Sequence, residues 1–97
     1  MFNLERRHID FILEILNKHL TDTKYYIFGS RSKGTDKQYS DIDLALDYGN
    51  KIDTKIISKI QIELENSTLP YEVDIVDLNS INENFKNLIK DDLKEFK

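Results

Sequence analysis

The sequence predicts a small α/β (α+β) domain, with a three-stranded mixed sheet flanked by helices. Two short β-branched and aromatic runs, "YYIF" and "DIDLALD", and a third, "YEVDIVDL", read as strands, while three longer segments repeat apolar residues at helical spacing. No linker, repeat or low-complexity stretch divides residues 1–97, so one domain is expected. The order is α-β-(turn or short α)-β-α-β-α, and a sheet covered by helices is the economical way to bury such elements.

Each element has its own warrant. From Leu4 to Leu20, Phe11, Ile12, Ile15, Leu16 and Leu20 share one helical face. "TDTK" interrupts that pattern before the strand Tyr25 to Phe28. Gly29-Ser30 then opens a turn or short helix that Gly34 closes. In the strand Asp41 to Asp47, Ile42, Leu44 and Leu46 lie opposite the acids. Asp53 or Thr54 caps a helix striped by Ile56, Ile57, Ile60 and Leu64. Pro70 introduces the strand Tyr71 to Leu78. Asn79 or Ser80 caps a last helix carrying Ile81, Phe85, Leu88, Ile89 and Leu93 on one side, with "KDDLKEFK" as its solvated end.

Composition narrows the function. Eighteen acids against fourteen bases give a net charge of −4, unlike a protein that neutralises nucleic-acid phosphates, so direct DNA or RNA binding is not expected. The absence of cysteine excludes disulfides, thiolate catalysis and cysteine-ligated zinc. No apolar run is long enough for a membrane span, and "MFNLERRHID" lacks a signal peptide's apolar core; a cytoplasmic location is expected. His8 and His19 are separated by about 16 Å of helix and cannot share a metal, so surface positions suit them.

The chemistry concentrates in "IFGSRSKGTDKQYSDIDLALD". Asp41 and Asp43 interrupt an apolar strand and project side by side, an arrangement that calls for a cation. Carboxylate oxygens are the usual ligands of Mg²⁺, which often shares its sphere with phosphates. A sheet face turned to water would account for the pair equally well. Gly29-Ser30 at a strand end suits a polyphosphate, with Arg31 and Lys33 within reach of an anion, although an ordinary serine-capped turn explains an isolated Gly-Ser. A third acid, Asp74, lies within another apolar strand; if that strand neighbours Asp41 and Asp43, three carboxylates converge where two metals could sit about 4 Å apart. Asp77 and Asp47 compete with it. Asp77 falls on the other face, and Asp47 lies a strand-length from Gly29, so Asp74 is preferred. Tyr39, in the loop before Asp41, is a further candidate neighbour of a nucleotide.

Gly29-Ser30, ten residues, Asp41-Ile42-Asp43 and a later strand acid together resemble the signature of polymerase-β-like nucleotidyltransferases. The size is similar to that of their minimal nucleotidyltransferase (MNT) members, the antitoxins of HEPN/MNT toxin–antitoxin pairs. The resemblance implies that Gly29, Ser30 and Arg31 hold the triphosphate of ATP. It implies that Asp41, Asp43 and Asp74 bind two Mg²⁺ ions, with Asp74 also activating the acceptor. It further implies a HEPN-domain toxin as partner in a hetero-oligomer, neutralised by transfer of AMP to a tyrosine. Two other functions fit the same residues: a non-catalytic module that masks its partner by contact, and a nucleotidyltransferase for a small metabolite or a nucleic-acid end.

Overall fold

Helices cover both faces of a four-stranded sheet in the computed structural model, which describes residues 4–29 and 41–97. In chain order the elements are α1 (Arg6–His19), β1 (Lys24–Phe28), β2 (Ile42–Asp47), α2 (Thr54–Glu65), β3 (Val73–Asp77), α3 (Glu83–Ile89) and β4 (Lys94–Glu95). The expected short helix after Gly29, with Gly34 and Tyr39, lies outside the described residues.

The sheet order is β3-β2-β1-β4. β1 pairs antiparallel with β2 and β4, whereas β2 and β3 run parallel. A parallel pair needs a crossover, and α2 supplies it. Its N-terminus is capped as expected by Asp53, whose carboxylate accepts the Lys55 N–H at 2.9 Å.

Strand alternation divides the interior into two. On one face Ile27, Ile42, Leu44, Leu46 and Val73 meet Ile12 and Leu16 of α1 and Ile60 and Leu64 of α2, all buried. On the other, Phe28 and Ala45 meet Ile89 of α3, with Tyr26, Val76 and Phe85 packed around them. The histidines are half-buried, not on the open surface. His8 lies edge-on to Tyr71 with centroids 5.2 Å apart, and His19 Nε2 is 3.0 Å from Glu63 of α2, which also pairs with Lys18. Those two partners hold the Glu63 carboxyl below its ordinary range, the Lys18 hydrogen bond contributing most.

The C-terminus corrects the expectation of three strands and a long final helix. α3 ends at Ile89, and its N-cap is Asn82, whose Oδ1 accepts the Phe85 N–H at 2.8 Å, rather than Asn79 or Ser80. Leu88, placed by periodicity on the apolar side, is 76% exposed. The following segment takes the free edge of β1, where the Phe96 N–H donates to the Tyr25 carbonyl at 2.8 Å. Phe96, expected in a solvated helix end, is 2% exposed in the α1–α2 side of the core. Backbone groups on an open strand edge outweigh a helical continuation that would leave Phe96 in water. Phe96→Ala should therefore destabilise the fold by roughly 3–5 kcal/mol in chemical denaturation, the range for truncating a core aromatic. A solvated helix end would tolerate the same change with little loss.

Candidate active site

Alternation along the strands puts Phe28, Asp43 and Asp74 on the face opposite α1 and α2. The register then sets them in one row: Phe28 pairs with Asp43 across the antiparallel ladder, and Asp43 with Asp74 across the parallel one. The next row, Tyr26, Ala45 and Val76, is apolar and lies beneath α3. The carboxylates thus begin where the α3 cover stops. Phe28 and Phe85, edge-to-face with centroids 6.5 Å apart, form the apolar border.

Electrostatics follow from that border. Burial raises the pKa of the Asp43 carboxyl above its ordinary value, and the charges of Asp74 and then Asp41 push it further the same way. Asp41 is exposed immediately before β2, and Asp74 is exposed on β3. The structure therefore brings the three expected acids into electrostatic contact at one end of the sheet. Among the described residues, no three His, Cys, Asp or Glu side chains already form a metal-holding group. In kind the donor set still fits Mg²⁺: hard carboxylate oxygens whose mutual repulsion a cation would relieve.

Gly29 belongs to the same corner. Its φ is +78°, and a Cβ there would stand 2.7 Å from Asp43 Oδ2. The backbone angle strains any other residue here, and a side chain would force the Asp43 carboxylate to shift. Ser30, Arg31 and Lys33 lie outside the described residues.

The competing acids are engaged elsewhere. Asp77 is 8% exposed, and its Oδ2 accepts the Ile52 N–H at 2.8 Å while Oδ1 accepts the Asn79 N–H at 2.9 Å. It ties the entry to α2 to the exit of β3. Asp47, paired with Lys24 at the far end of β1, accepts from Gly49 N–H at 3.1 Å and Asn79 Nδ2 at 3.2 Å, closing the turn after β2. The aromatic border was not anticipated from sequence. Its signal was present, since Phe28 immediately precedes the Gly-Ser turn and Phe85 lies on the apolar stripe of the last helix.

The mixed sheet with its glycine turn against a strand carboxylate is that of a nucleotidyltransferase domain by family match. Residues 10–95 match the family described as polymerase beta, nucleotidyltransferase, and the chain belongs to it. It is 30% identical over 88 residues to the probable protein adenylyltransferase MntA of Haemophilus influenzae, a match spanning 91% of this chain and 77% of that protein. A crystal structure of a toxin–antitoxin with AMP-PNP superposes with a TM-score of 0.77 at 28% identity, over 92% of this chain and 72% of that one. The tri-AMPylated Shewanella oneidensis HEPN toxin in complex with MNT antitoxin gives a TM-score of 0.74 at 23% identity, over 97% and 72%, a likeness of fold alone.

Two predictions follow from the separation of the acids. A carboxyl with a raised folded-state pKa favours folding while protonated and loses that contribution as pH rises through the folded value. Asp43→Asn should therefore be more stable than wild type at pH 7 without ligand. The gap should close as pH falls below the ordinary aspartate value of about 3.9; thermal unfolding across that range measures it, and a gap that widens on acidification contradicts the assignment. Asp77→Ala should cost roughly 1–3 kcal/mol by stranding the buried Ile52 N–H, yet leave any nucleotide-induced rise in melting temperature in place.

Proposed function

We propose that the protein is a Mg²⁺-dependent protein adenylyltransferase that acts as an antitoxin, transferring AMP from ATP to a tyrosine of a HEPN-domain toxin. The observation that carries this reading is the position of Asp43, beside Asp74 in the strand register and against the Cβ-free backbone of Gly29 at the end of β1. The likeness to MntA of Haemophilus influenzae and to a toxin–antitoxin structure with AMP-PNP supports both the reaction and the donor. An antitoxin of this kind works as a hetero-oligomer with its toxin in the cytoplasm. No helix among the described residues is long and apolar enough to cross a membrane.

In this reading the Gly29-Ser30 turn receives the triphosphate. Gly29 keeps its surface clear of any Cβ, the Ser30 hydroxyl donates to a phosphate oxygen, and Arg31 offsets charge on the leaving pyrophosphate. Asp41, Asp43 and Asp74 would hold two Mg²⁺ ions, which when bound neutralise phosphate charge and lower the pKa of a nearby hydroxyl. The tyrosine oxygen forms a bond to the α-phosphorus as the bond from that phosphorus to the pyrophosphate oxygen breaks. A tyrosine hydroxyl has a reference pKa of about 10, so it needs an acceptor for its proton. In this reading Asp74, exposed on the outer strand, orients the hydroxyl or takes that proton. The Phe28–Phe85 pair gives Asp43 an apolar border on the α3 side.

Co-expression with a HEPN partner followed by mass spectrometry tests the reading. Wild type should add AMP to tyrosine, and Asp74→Asn should reduce transfer at least about a hundredfold, the lower end for losing acid–base help. Asp41→Asn with Asp43→Asn should abolish the rise in melting temperature that Mg²⁺ and ATP confer on wild type by mass action. If wild type modifies no protein hydroxyl while still neutralising the toxin, the protein masks its partner by contact instead.

A further inference from the structure

β3 is an edge strand, and a groove opens along its outer side, away from β2. The groove begins at Asp74, continues past Glu72 and Tyr71, and reaches Leu69, Gln61 and Glu65 near the last turn of α2. Among the described residues its lining includes three carboxylates, Glu65, Glu72 and Asp74, and no lysine, arginine or histidine. Glu65 and Glu72 are exposed, so their charges face whatever enters. Gln61 donates its side-chain amide to the Val73 carbonyl, fixing the strand's outer edge against α2. Tyr71 is held from behind by His8, ring edge to ring face.

Position connects this groove to the reaction. Attacking and leaving oxygens lie roughly in line on a transferring phosphoryl group. With the triphosphate at Gly29, on the β1 side of Asp43, the leaving pyrophosphate lies on that side. The attacking oxygen then enters from the opposite side, over Asp74 and the edge of β3, where the groove lies. Charge decides what it admits. A nucleic-acid segment laid along the groove would bring its phosphates against Glu65 and Glu72, with no lysine, arginine or histidine among the described lining residues to offset them. A basic polypeptide meets complementary charge, which favours encounter and sets register. Leu69 and Tyr71 offer apolar surface to the aliphatic stems of lysine or arginine.

We propose that this groove seats the acceptor: a basic protein segment laid over the β3 edge, with its tyrosine hydroxyl at Asp74 and its flanking cations against Glu72 and Glu65. The inference rests on the adenylyltransferase reading above and adds to it the side of entry and the chemistry of the acceptor.

Two synthetic peptides of equal length test it, one with tyrosine flanked by arginines and one with tyrosine flanked by glutamates, each incubated with Mg²⁺ and ATP. AMP incorporation is followed by mass spectrometry. Wild type should modify the basic peptide with a kcat/KM about tenfold higher or more, chiefly through KM, and added salt should shrink the difference. The Glu65→Gln, Glu72→Gln double variant should lose most of that preference while its KM for ATP and its melting temperature stay at wild-type values, since both side chains are exposed. Equal use of the two peptides by wild type, a preference that the double variant retains, or transfer to a single-stranded oligonucleotide end in place of both peptides overturns the groove assignment. Failure of wild type to modify either peptide or a HEPN partner overturns the adenylyltransferase reading itself, and the groove assignment with it.

Discussion

The parallel pairing of β2 with β3 fixes two things at once, because strand side chains alternate with a period of two. Ile42, Leu44, Val73 and Ile75 face α1 and α2, and in the same register Asp43 comes to lie beside Asp74 on the other face. A slip of one residue would turn the acids into the α1–α2 core and the apolar residues out of it. The penalty for burying carboxylates there protects the register. Two bonds hold its ends, from the Ile42 N–H to the Glu72 carbonyl at 2.8 Å and from the Leu78 N–H to the Leu46 carbonyl at 2.9 Å. Asp77 adds a side-chain tie from the end of β3 to Ile52 at the entry to the crossover helix. The acid row is thus held in place by packing on the far side of the sheet and by bonds at both strand ends.

That arrangement separates stability from the costs of the site. The α1–α2 face carries the larger apolar cluster and the cross-helix contacts of Glu63, while the α3 face carries a smaller cluster beside the acids. Burial first, and then the charges of Asp74 and Asp41, raise the pKa of the Asp43 carboxyl, so its ionised form opposes folding. A carboxylate in such a position persists only where the surrounding structure over-determines it. Gly29 adds a further constraint, since a side chain there would meet both an unfavourable positive φ and the Asp43 carboxylate, 2.7 Å from the position of a Cβ.

Much of this was legible in the sequence because it rests on local periodicity. The alternation in "DIDLALD" and "YEVDIVDL" assigned Asp43 and Asp74 to one class of face, and placed Asp77 on the other, before any pairing was known. The cap at Asp53 and the stripe of α2 are local features and appeared where expected. What escaped was non-local. Nothing in "KDDLKEFK" announces that β1 has a free edge, and Ile81, Phe85, Leu88, Ile89 and Leu93 satisfy helical spacing although Leu88 is exposed and Leu93 follows the helix end. The aromatic border likewise depends on α3 crossing the sheet to meet Phe28, a contact between residues 57 positions apart in the chain. Sequence spacing singled out Asp41, Asp43 and Asp74 as candidates, but their surroundings required the topology.

The distinction between Asp74 and Asp77 shows how topology completes what periodicity begins. Both are aspartates on one five-residue strand, three positions apart, and therefore on opposite faces. Asp77 is buried at the end of β3, and its two oxygens accept the Ile52 and Asn79 N–H groups, so its charge is spent on backbone donors. Asp74 has solvent before it, Asp43 beside it and the groove at its outer side. A carboxylate already saturated by main-chain donors is poorly suited to bind a cation or accept a proton, because either would compete with bonds that hold the fold. A carboxylate restrained only through its own strand, next to another of like charge, is free to do both. Under the proposed function, chemistry at this end of the sheet falls to Asp74 for the same reason that it is closed to Asp77.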